Sequence, residues 1–240
     1  MEKFGIFFLC VKPTEHHLQV IDILQNYMKA FIISDKPCRT NEWIVHISDE
    51  ESEKNGFKNS SKVTIPKLCV AWDKVLYFLC RKKLDLDFVW IVEEDVFIPS
   101  IKSILEMTLK YNEFDLVCRS NGINENGNRR EWHWKHVPQH IQPPWACSMV
   151  CAVGVSRKML GIIDEYVKKY KSLTFIEFMF NTLAHQNNLN VMCADELSTI
   201  EYNRNWTNEQ IKTATKWLHP VKNISLHETY FDYSGFEKII

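Results

Sequence analysis

Residues 87–99 read DFVWIVEEDVFIP, an apolar run that ends in the acids Glu93, Glu94 and Asp95 before a second apolar run begins. The first run is typical of a buried β-strand. Ligands of open α/β sheets bind beyond the carboxyl ends of the strands. Three adjacent carboxylates are costly to hold together without a nearby positive charge. The segment therefore predicts an acidic, metal-binding corner at the edge of a sheet, and a strand that ends in solvated acids is the alternative.

The composition predicts an ordinary globular protein. Of the 240 residues, 45% are hydrophobic, and 30 acids balance 29 lysines and arginines, so bulk charge gives no reason to expect a nucleic-acid partner. No apolar run approaches the roughly 20 residues of a membrane span. Most of the eight cysteines lie in apolar runs, and Cys147 and Cys151 have no second pair at zinc spacing. We therefore expect a reducing, cytoplasmic setting without a membrane span.

Short apolar strands alternate with amphipathic helices along the chain. Strands are predicted at residues 3–11, 30–34, 43–48, 88–92, 114–118, 147–155 and 189–193. Helices are predicted at residues 15–29, 68–83, 100–111 and 156–170, from residue 175 onward and at 208–216, with an acidic loop at 49–61. The alternation predicts an α/β fold with a mostly parallel sheet and helices on both faces. Such a sheet would bring Lys12, Asp35 and Asp95 to one edge.

Residues 120–144 lose this pattern and are rich in Asn, Gly, Trp, His and Pro. A long irregular segment inside a compact domain is usually functional. Its aromatic residues would suit stacking against sugar rings, or they pack the loop onto the domain. The spacing of His133, His136 and His140 is not that of a zinc site, and contact with an acceptor stays open for them.

The chain has neither a Gly-x-x-x-x-Gly-Lys-Ser/Thr loop nor a Gly-x-Gly-x-x-Gly loop. If it binds a nucleotide, a metal ion must therefore neutralise the phosphates. Hard divalent cations prefer carboxylate oxygens. Alternate residues of a strand share a face, so Glu93 and Asp95 are expected on one side and Glu94 on the other.

The order of these motifs resembles the GT-A class of nucleotide-sugar-dependent glycosyltransferases. The Glu93-Glu94-Asp95 triplet resembles the Asp-x-Asp motif of that class, with Glu in place of the first Asp. Residues 70–74 resemble the family's nucleotide-contacting helix, and residues 147–157 resemble its acceptor-side strand. Residues 175–177 resemble the segment that carries its catalytic acid, and residues 219–222 resemble the segment that carries its C-terminal histidine. The chain also resembles small glycosyltransferases of large DNA viruses. The resemblance implies a single GT-A-like domain, with residues 1–98 binding the nucleotide and residues 99–240 binding the acceptor.

The resemblance implies a metal-dependent transfer of a sugar from a nucleoside-diphosphate sugar, most readily a UDP-sugar, to a hydroxyl of a carbohydrate. Mn²⁺ or Mg²⁺ would be held by Asp95 and His219, with Glu93 as a ligand or a ribose contact. The donor would further meet three residues: Asp35, Lys74 and Lys222. On the predicted helix at residues 68–83, Lys74 is a better candidate for ligand contact than Trp72. Trp72 is expected to pack the helix on the sheet.

Glu177 is the candidate base that would deprotonate the acceptor and invert the anomeric carbon. Asp195 and Glu196 are the alternatives. Thr174 with Glu177 also has the form of a helix capping box, which is a purely structural explanation for this acid. Two other functions remain open: a nucleotidyltransferase acting on sugar phosphates, and a non-catalytic carbohydrate-binding protein on a degenerate transferase fold.

Overall fold

Strand β4 (Phe88–Glu93) lies in the middle of a seven-stranded sheet, and its first five residues are buried. The computed structural model describes residues 1–61, 69–82, 84–131 and 133–234. The sheet order is β3-β2-β1-β4-β8-β5-β9. Its other strands are β1 (Phe4–Cys10), β2 (Lys29–Ser34), β3 (Ile44–His46), β5 (Leu116–Cys118), β8 (Ala152–Ser156) and β9 (Val191–Cys193). All neighbouring pairs are parallel except those of β8, which runs antiparallel to β4 and β5.

Helices cover both faces of this sheet because each strand alternates apolar side chains between the two sides. One apolar layer contains α1 (Glu15–Leu24) and α4 (Ile101–Tyr111). The other contains α3 (Ala71–Arg81), α5 (Arg157–Tyr170) and α6 (Ile176–Gln186). The shorter α-helices and strands are α2 (Asp49–Lys54), β6 (Gly122–Asn124), β7 (Trp145–Cys147), α7 (Asn208–Lys212) and α8 (Ile224–Tyr230), and two 3₁₀ helices lie at His133–His136 and Asp195–Leu197.

The predicted fold class is confirmed: the protein has a Rossmann-like α/β fold with a mostly parallel sheet, helices on both faces and a loop-rich second half. Helix α4 begins after Ser100, whose hydroxyl accepts a hydrogen bond from the Ser103 N–H, as expected of an N-cap.

Along the described residues, no helix is both long and apolar enough to cross a bilayer.

Several predicted boundaries were wrong. Residues 49–54 form helix α2 rather than a loop, because Ser48 caps three consecutive acids that suit a helix N-terminus. Helix α1 ends at Leu24, since β2 already begins at Lys29. The predicted strand at residues 147–155 is divided between β7, which pairs with β6, and β8 of the main sheet. Helix α8 was not predicted, and residues 68 and 83, the two ends of the predicted helix at 68–83, lie outside the described chain.

Candidate functional site

A cleft of about 810 Å³ opens where β1, β2 and β4 end. Its lining includes six of the residues predicted for the site: Asp35, Glu93, Asp95, Glu177, His219 and Lys222. A larger cavity of about 1370 Å³ lies between α5, α6 and residues 140–144, but its only carboxylate among the described lining residues is Glu165. Because the acids converge in the smaller cleft, we place the chemistry there.

Glu93 is the last residue of β4, and its carboxylate is held by Trp72 of α3. The Trp72 indole Nε1–H donates to Glu93 Oε1 at 2.6 Å. Burial raises the pKa of the Glu93 carboxyl, and the charge of Asp95 raises it further, against the lowering effect of the Trp72 hydrogen bond. A half-buried carboxylate with a fixed donor and an acidic neighbour is a group that a cation would stabilise.

Asp95 faces His219 across the cleft. Asp95 Oδ1 lies 3.4 Å from His219 Nε2, and the other ring nitrogen, Nδ1, lies 2.9 Å from the carbonyl oxygen of Glu201. A carbonyl can only accept, so Nδ1 carries the proton, which leaves Nε2 of the neutral ring available as a ligand. Burial lowers the pKa of His219, but the Asp95 carboxylate outweighs it and raises the pKa overall.

The C-terminal segment brings His219 to this position by pairing with the chain just after Asp95. Phe97 and Leu218 exchange two backbone hydrogen bonds of 2.9 Å, and the Val221 N–H donates to the Asp95 carbonyl at 2.7 Å. Trp217 anchors the segment: it is fully buried, with its ring 5.3 Å from that of Trp90. Truncating a fully buried tryptophan to alanine costs about 3–5 kcal/mol of stability. The packing of Trp217 in the core therefore holds His219 near Asp95.

Glu94 directly follows β4 and lines the same cleft, where its carboxylate meets the end of β1. Its Oε2 accepts the Val11 N–H at 2.9 Å, at the end of β1. Burial raises the pKa of Glu94, and the charges of Asp95 and Asp35 add to the effect. Glu94 therefore occupies the backbone donor that follows β1.

Lys74 does not line the cleft, whereas Trp72 does. The Lys74 side chain is 1% exposed, and its Nζ donates to the Asp35 carbonyl at 2.7 Å and to Asp35 Oδ1 at 3.0 Å. Asp49 Oδ1, at the start of α2, lies 2.8 Å from the same nitrogen. Lys74 thus contacts Asp35, which lines the cleft, but does not line the cleft itself. Of the two helix residues, Trp72 rather than Lys74 is exposed to a ligand in the cleft.

Glu177 enters the cleft from the first turn of α6. The N-cap of this helix is Phe175, not Thr174, and no side-chain hydrogen bond caps it, so the predicted capping box was wrong. The Ser148 N–H donates to the Glu177 carbonyl at 2.8 Å and joins the helix start to the chain before β8. The alternative bases are held elsewhere: Asp195 pairs with Lys216 at 2.7 Å, and Glu196 pairs with Lys110 at 2.7 Å.

The described residues of the irregular segment at 120–144 do not contribute to the cleft lining. Trp134 is buried with its ring 6.1 Å from that of Trp145. His140 stacks on Tyr170 at 3.9 Å and lies outside the acidic cleft. Packing of the loop therefore accounts for the described aromatics. Trp132 and the side chain of His133 lie outside the described part of the chain.

Among the lining residues that were not predicted for the site, Cys151 and Tyr202 bear on its chemistry. Cys151 was interpreted as a core thiol, yet it lies opposite Glu93 at the cleft wall. Tyr202, at 81% exposure, stands at the rim and offers an open aromatic face. If the antiparallel direction of β8 relative to β4 had been predicted, Cys151 would have been expected at the cleft. Nothing in the polar sequence around Tyr202 distinguishes it.

The donor set fits a divalent cation. Ligand atoms of Glu93, Cys151 and His219 all lie within 4.8 Å of one another, and Asp95 adds an oxygen next to His219. Across the described lining, five carboxylates (Asp35, Glu93, Glu94, Asp95 and Glu177) are accompanied by a single lysine, Lys222. This excess of negative charge would repel a phosphorylated ligand unless a cation bound with it.

No protein-family model matches the chain, and no curated protein matches it in sequence. Among solved structures, it is similar to a glycosyltransferase involved in the glycosylation of the major capsid of PBCV-1, at 10% identity over 69% of this chain and 65% of that chain, with a TM-score of 0.32. The chain thus spans slightly less than two thirds of that viral protein.

Two further solved structures match over most of both chains. Mouse xyloside xylosyltransferase 1 matches at 10% identity over 98% of this chain and 94% of that chain, with a TM-score of 0.38. The 4-diphosphocytidyl-2C-methyl-D-erythritol synthase from Anaerococcus prevotii matches at 10% identity over 87% and 93%, with a TM-score of 0.43. Likenesses this distant leave the activity to be argued from the cleft itself.

Proposed function

We propose that this protein is a divalent-metal-dependent glycosyltransferase that moves a sugar from a nucleoside-diphosphate sugar, most readily a UDP-sugar, to a hydroxyl of a carbohydrate acceptor. One observation carries the proposal. The 3.4 Å approach of Asp95 to His219 lies in the same cleft as Glu177, although the three residues are far apart in the sequence. A metal-binding pair and a separate carboxylate are what transfer from a diphosphate leaving group requires.

The acids at the strand ends would hold the cation and the donor. Asp95, His219 and Glu93 would be the metal-holding residues, oriented by the Glu201 carbonyl and by Trp72. When bound, Mn²⁺ or Mg²⁺ would neutralise the diphosphate and favour its departure. Lys222 is exposed at the cleft and adds a mobile positive charge toward the same phosphates. Asp35, fixed by Lys74, would accept hydrogen bonds from the nucleoside or the sugar.

Glu177 would remove the proton of the acceptor hydroxyl. In that step the acceptor oxygen forms a bond to the anomeric carbon, and the bond from that carbon to the phosphate oxygen breaks. The proton goes to Glu177, and the electron pair leaves with the nucleoside diphosphate. A base opposite the leaving group inverts the configuration. The open ring of Tyr202 at the rim gives a sugar a surface to stack on.

Nucleotidyl transfer is less well supported by the same cleft. That reaction would place phosphates against the backbone after β1, where N–H groups must point at the ligand. Here the Val11 N–H is already bonded to the Glu94 carboxylate at 2.9 Å. A second negative group at this point would be repelled, so the loop after β1 is poorly suited to cradle phosphates.

The first experiment is thermal unfolding with UDP, GDP and dTDP, each with and without MnCl₂. We expect UDP with Mn²⁺ to raise the melting temperature more than either component alone, because a ligand that binds only the folded state stabilises it. Donor hydrolysis across UDP-, GDP- and dTDP-sugars would then identify the donor. If none of these nucleotides raises the melting temperature in the presence of metal, the proposal fails.

The second experiment tests Glu177. We expect Glu177→Gln to lower transfer by about 10²–10⁴-fold, the usual contribution of a general base, while nucleotide affinity stays unchanged. Glu165→Gln, in the larger cavity between α5 and α6, is the matched control and should transfer normally. Transfer retained by Glu177→Gln would assign the base elsewhere. Absence of transfer by the unmodified protein, with carbohydrate binding intact, would favour a non-catalytic carbohydrate-binding role.

A further inference from the structure

Cys151 lies directly opposite Glu93 in the antiparallel pair of β4 and β8. The pairing of Val92 with Ala152 continues by one position, where the Glu93 N–H donates to the Cys151 carbonyl at 2.8 Å. Opposed residues of an antiparallel pair hold their Cβ atoms about 5 Å apart. The fold therefore fixes the thiol beside the carboxylate, and the Cys151 sulfur lies within 4.8 Å of a Glu93 oxygen.

Three kinds of donor atom converge at this point. An oxygen of Glu93, the sulfur of Cys151 and a ring nitrogen of His219 lie within 4.8 Å of one another. Two ligands on one tetrahedral zinc ion are about 3.5 Å apart, from bonds of about 2.0–2.3 Å. Small side-chain rotations would therefore bring all three atoms onto one ion, with Asp95 Oδ1 next to His219 as a fourth donor.

The chemistry of the donors discriminates between cations. Mg²⁺ prefers oxygen ligands in octahedral geometry, whereas thiolate and imidazole select ions such as Zn²⁺ and Co²⁺. A site built only for Mg²⁺ gains nothing from a sulfur atom at bonding range. The thiol is also shielded, with Cys151 only 6% exposed at the cleft wall, so a bound ion would be partly protected from water.

We propose that Cys151 is a metal ligand through its sulfur atom, together with His219 Nε2 and the carboxylates of Glu93 and Asp95, and that the cleft therefore binds Zn²⁺ or Co²⁺ in preference to Mg²⁺. On binding, the sulfur–metal bond forms and the thiol proton is released to solvent. The inference concerns the cleft of the proposed function, but it does not depend on a sugar donor.

Cobalt spectroscopy tests the ligand directly. The parent protein for these measurements is Cys193→Ser, because Cys193 is exposed and faces Cys118 in the paired strands β5 and β9. Titration of the metal-free parent with Co²⁺, without nucleotide, should give a thiolate-to-cobalt charge-transfer band in the near ultraviolet at one equivalent. One equivalent of Zn²⁺ should abolish the band, and a large excess of Mg²⁺ should leave it intact.

Cys151→Ser in the same parent should lose the charge-transfer band, and its Zn²⁺ affinity should fall by more than about 100-fold, since changes outside the ligands already cost about 10–100-fold. Cys147→Ser is the matched control, because Cys147 is half-buried nearby but does not line the cleft. It should keep both properties. A band that persists in Cys151→Ser, or that Mg²⁺ displaces as readily as Zn²⁺ does, would overturn the proposal.

If Cys151→Ser does not fold, X-ray absorption of the zinc-loaded parent decides the question. A sulfur neighbour at about 2.3 Å from zinc would support the proposal, and a shell of nitrogen and oxygen alone would reject it. These readouts separate the two proposals. A cobalt–sulfur band without any nucleotide-dependent thermal shift would support Cys151 as a metal ligand and reject the transferase proposal. A nucleotide-dependent thermal shift without a cobalt–sulfur band would support the transferase proposal and reject Cys151 as a ligand.

Discussion

Replacing Lys74 with methionine tests whether this lysine acts by positioning Asp35 or by touching a ligand. Methionine keeps most of the length of the side chain but removes the charge and its donors. The Lys74 side chain is 1% exposed and joins the end of β2, the start of α2 and helix α3 through Asp35 and Asp49. We therefore expect Lys74→Met to lower the free energy of unfolding substantially.

The magnitude follows from the contacts of Lys74 with Asp35 and Asp49 that the substitution removes. Removing one member of a buried ion pair costs about 3–5 kcal/mol, because the remaining charge is left uncompensated. The side chains of Asp35 and Asp49 are 18% and 44% exposed, so water relieves part of this cost. We expect a loss of about 3 kcal/mol, which for a domain of this size lowers the melting temperature by roughly 6–12 °C.

Urea unfolding followed by tryptophan fluorescence measures this loss. Asp35→Asn in the Lys74→Met background should recover part of the stability, because it removes a charge that has lost its contact with Lys74. Lys222→Met is the matched control: its side chain is exposed at the cleft, so stability should change by less than about 0.5 kcal/mol, while UDP affinity with metal should fall. If the two lysine variants lose equal stability, the positioning role of Lys74 is wrong.

Two further predictions concern Trp72 and the buried histidines. Trp72→Phe should weaken Co²⁺ binding by about 10–100-fold through loss of the 2.6 Å hydrogen bond to Glu93, whereas Trp43→Phe should not; equal affinities would remove Trp72 from the site. Burial lowers the pKa of His16 from 6.5 to about 4 and that of His17 to about 3, so the unfolded chain binds protons more readily and stability is lost as pH falls below 6.5. His16→Gln should therefore lose about 2 kcal/mol less than the unmodified protein between pH 7 and pH 5, and His185→Gln should match the unmodified protein; an unchanged pH dependence in His16→Gln would refute this.

The acidic corner was predictable from sequence because two simple rules apply to it. A buried parallel strand has a continuous apolar run, and its carboxyl end lies at the ligand-binding edge. Both rules hold for β4, and Asp35 follows β2 in the same way. Lys12 follows β1 but does not line the cleft, since position at a strand end does not determine where an exposed side chain points.

In the structure Trp72 lines the cleft and Lys74 does not, and the burial of Lys74 depends on α2, which was not predicted. Residues two apart on a helix lie on nearly opposite sides, so only one of this pair can face the cleft. A lysine is expected at a surface or a ligand unless acids are known to pair with it. Lys74 pairs with Asp35 and Asp49, and Asp49 begins a helix that the sequence presented as an acidic loop. Without that helix, the buried position of Lys74 had no visible explanation.

The placement of Cys151 depends on strand direction, which periodicity does not report. In a parallel sheet, the residues at the ligand-binding edge follow their strands, and a search of strand ends finds them. In an antiparallel strand, the residue at that same edge precedes the strand, and Cys151 stands directly before β8. Its apolar neighbours therefore made it resemble a core thiol. The reversed strand β8 thus brings a sulfur atom to the oxygen and nitrogen donors of Glu93 and His219. If Cys151 ligates the ion as we propose, strand direction would also determine the preference of the cleft for Zn²⁺ or Co²⁺ over Mg²⁺.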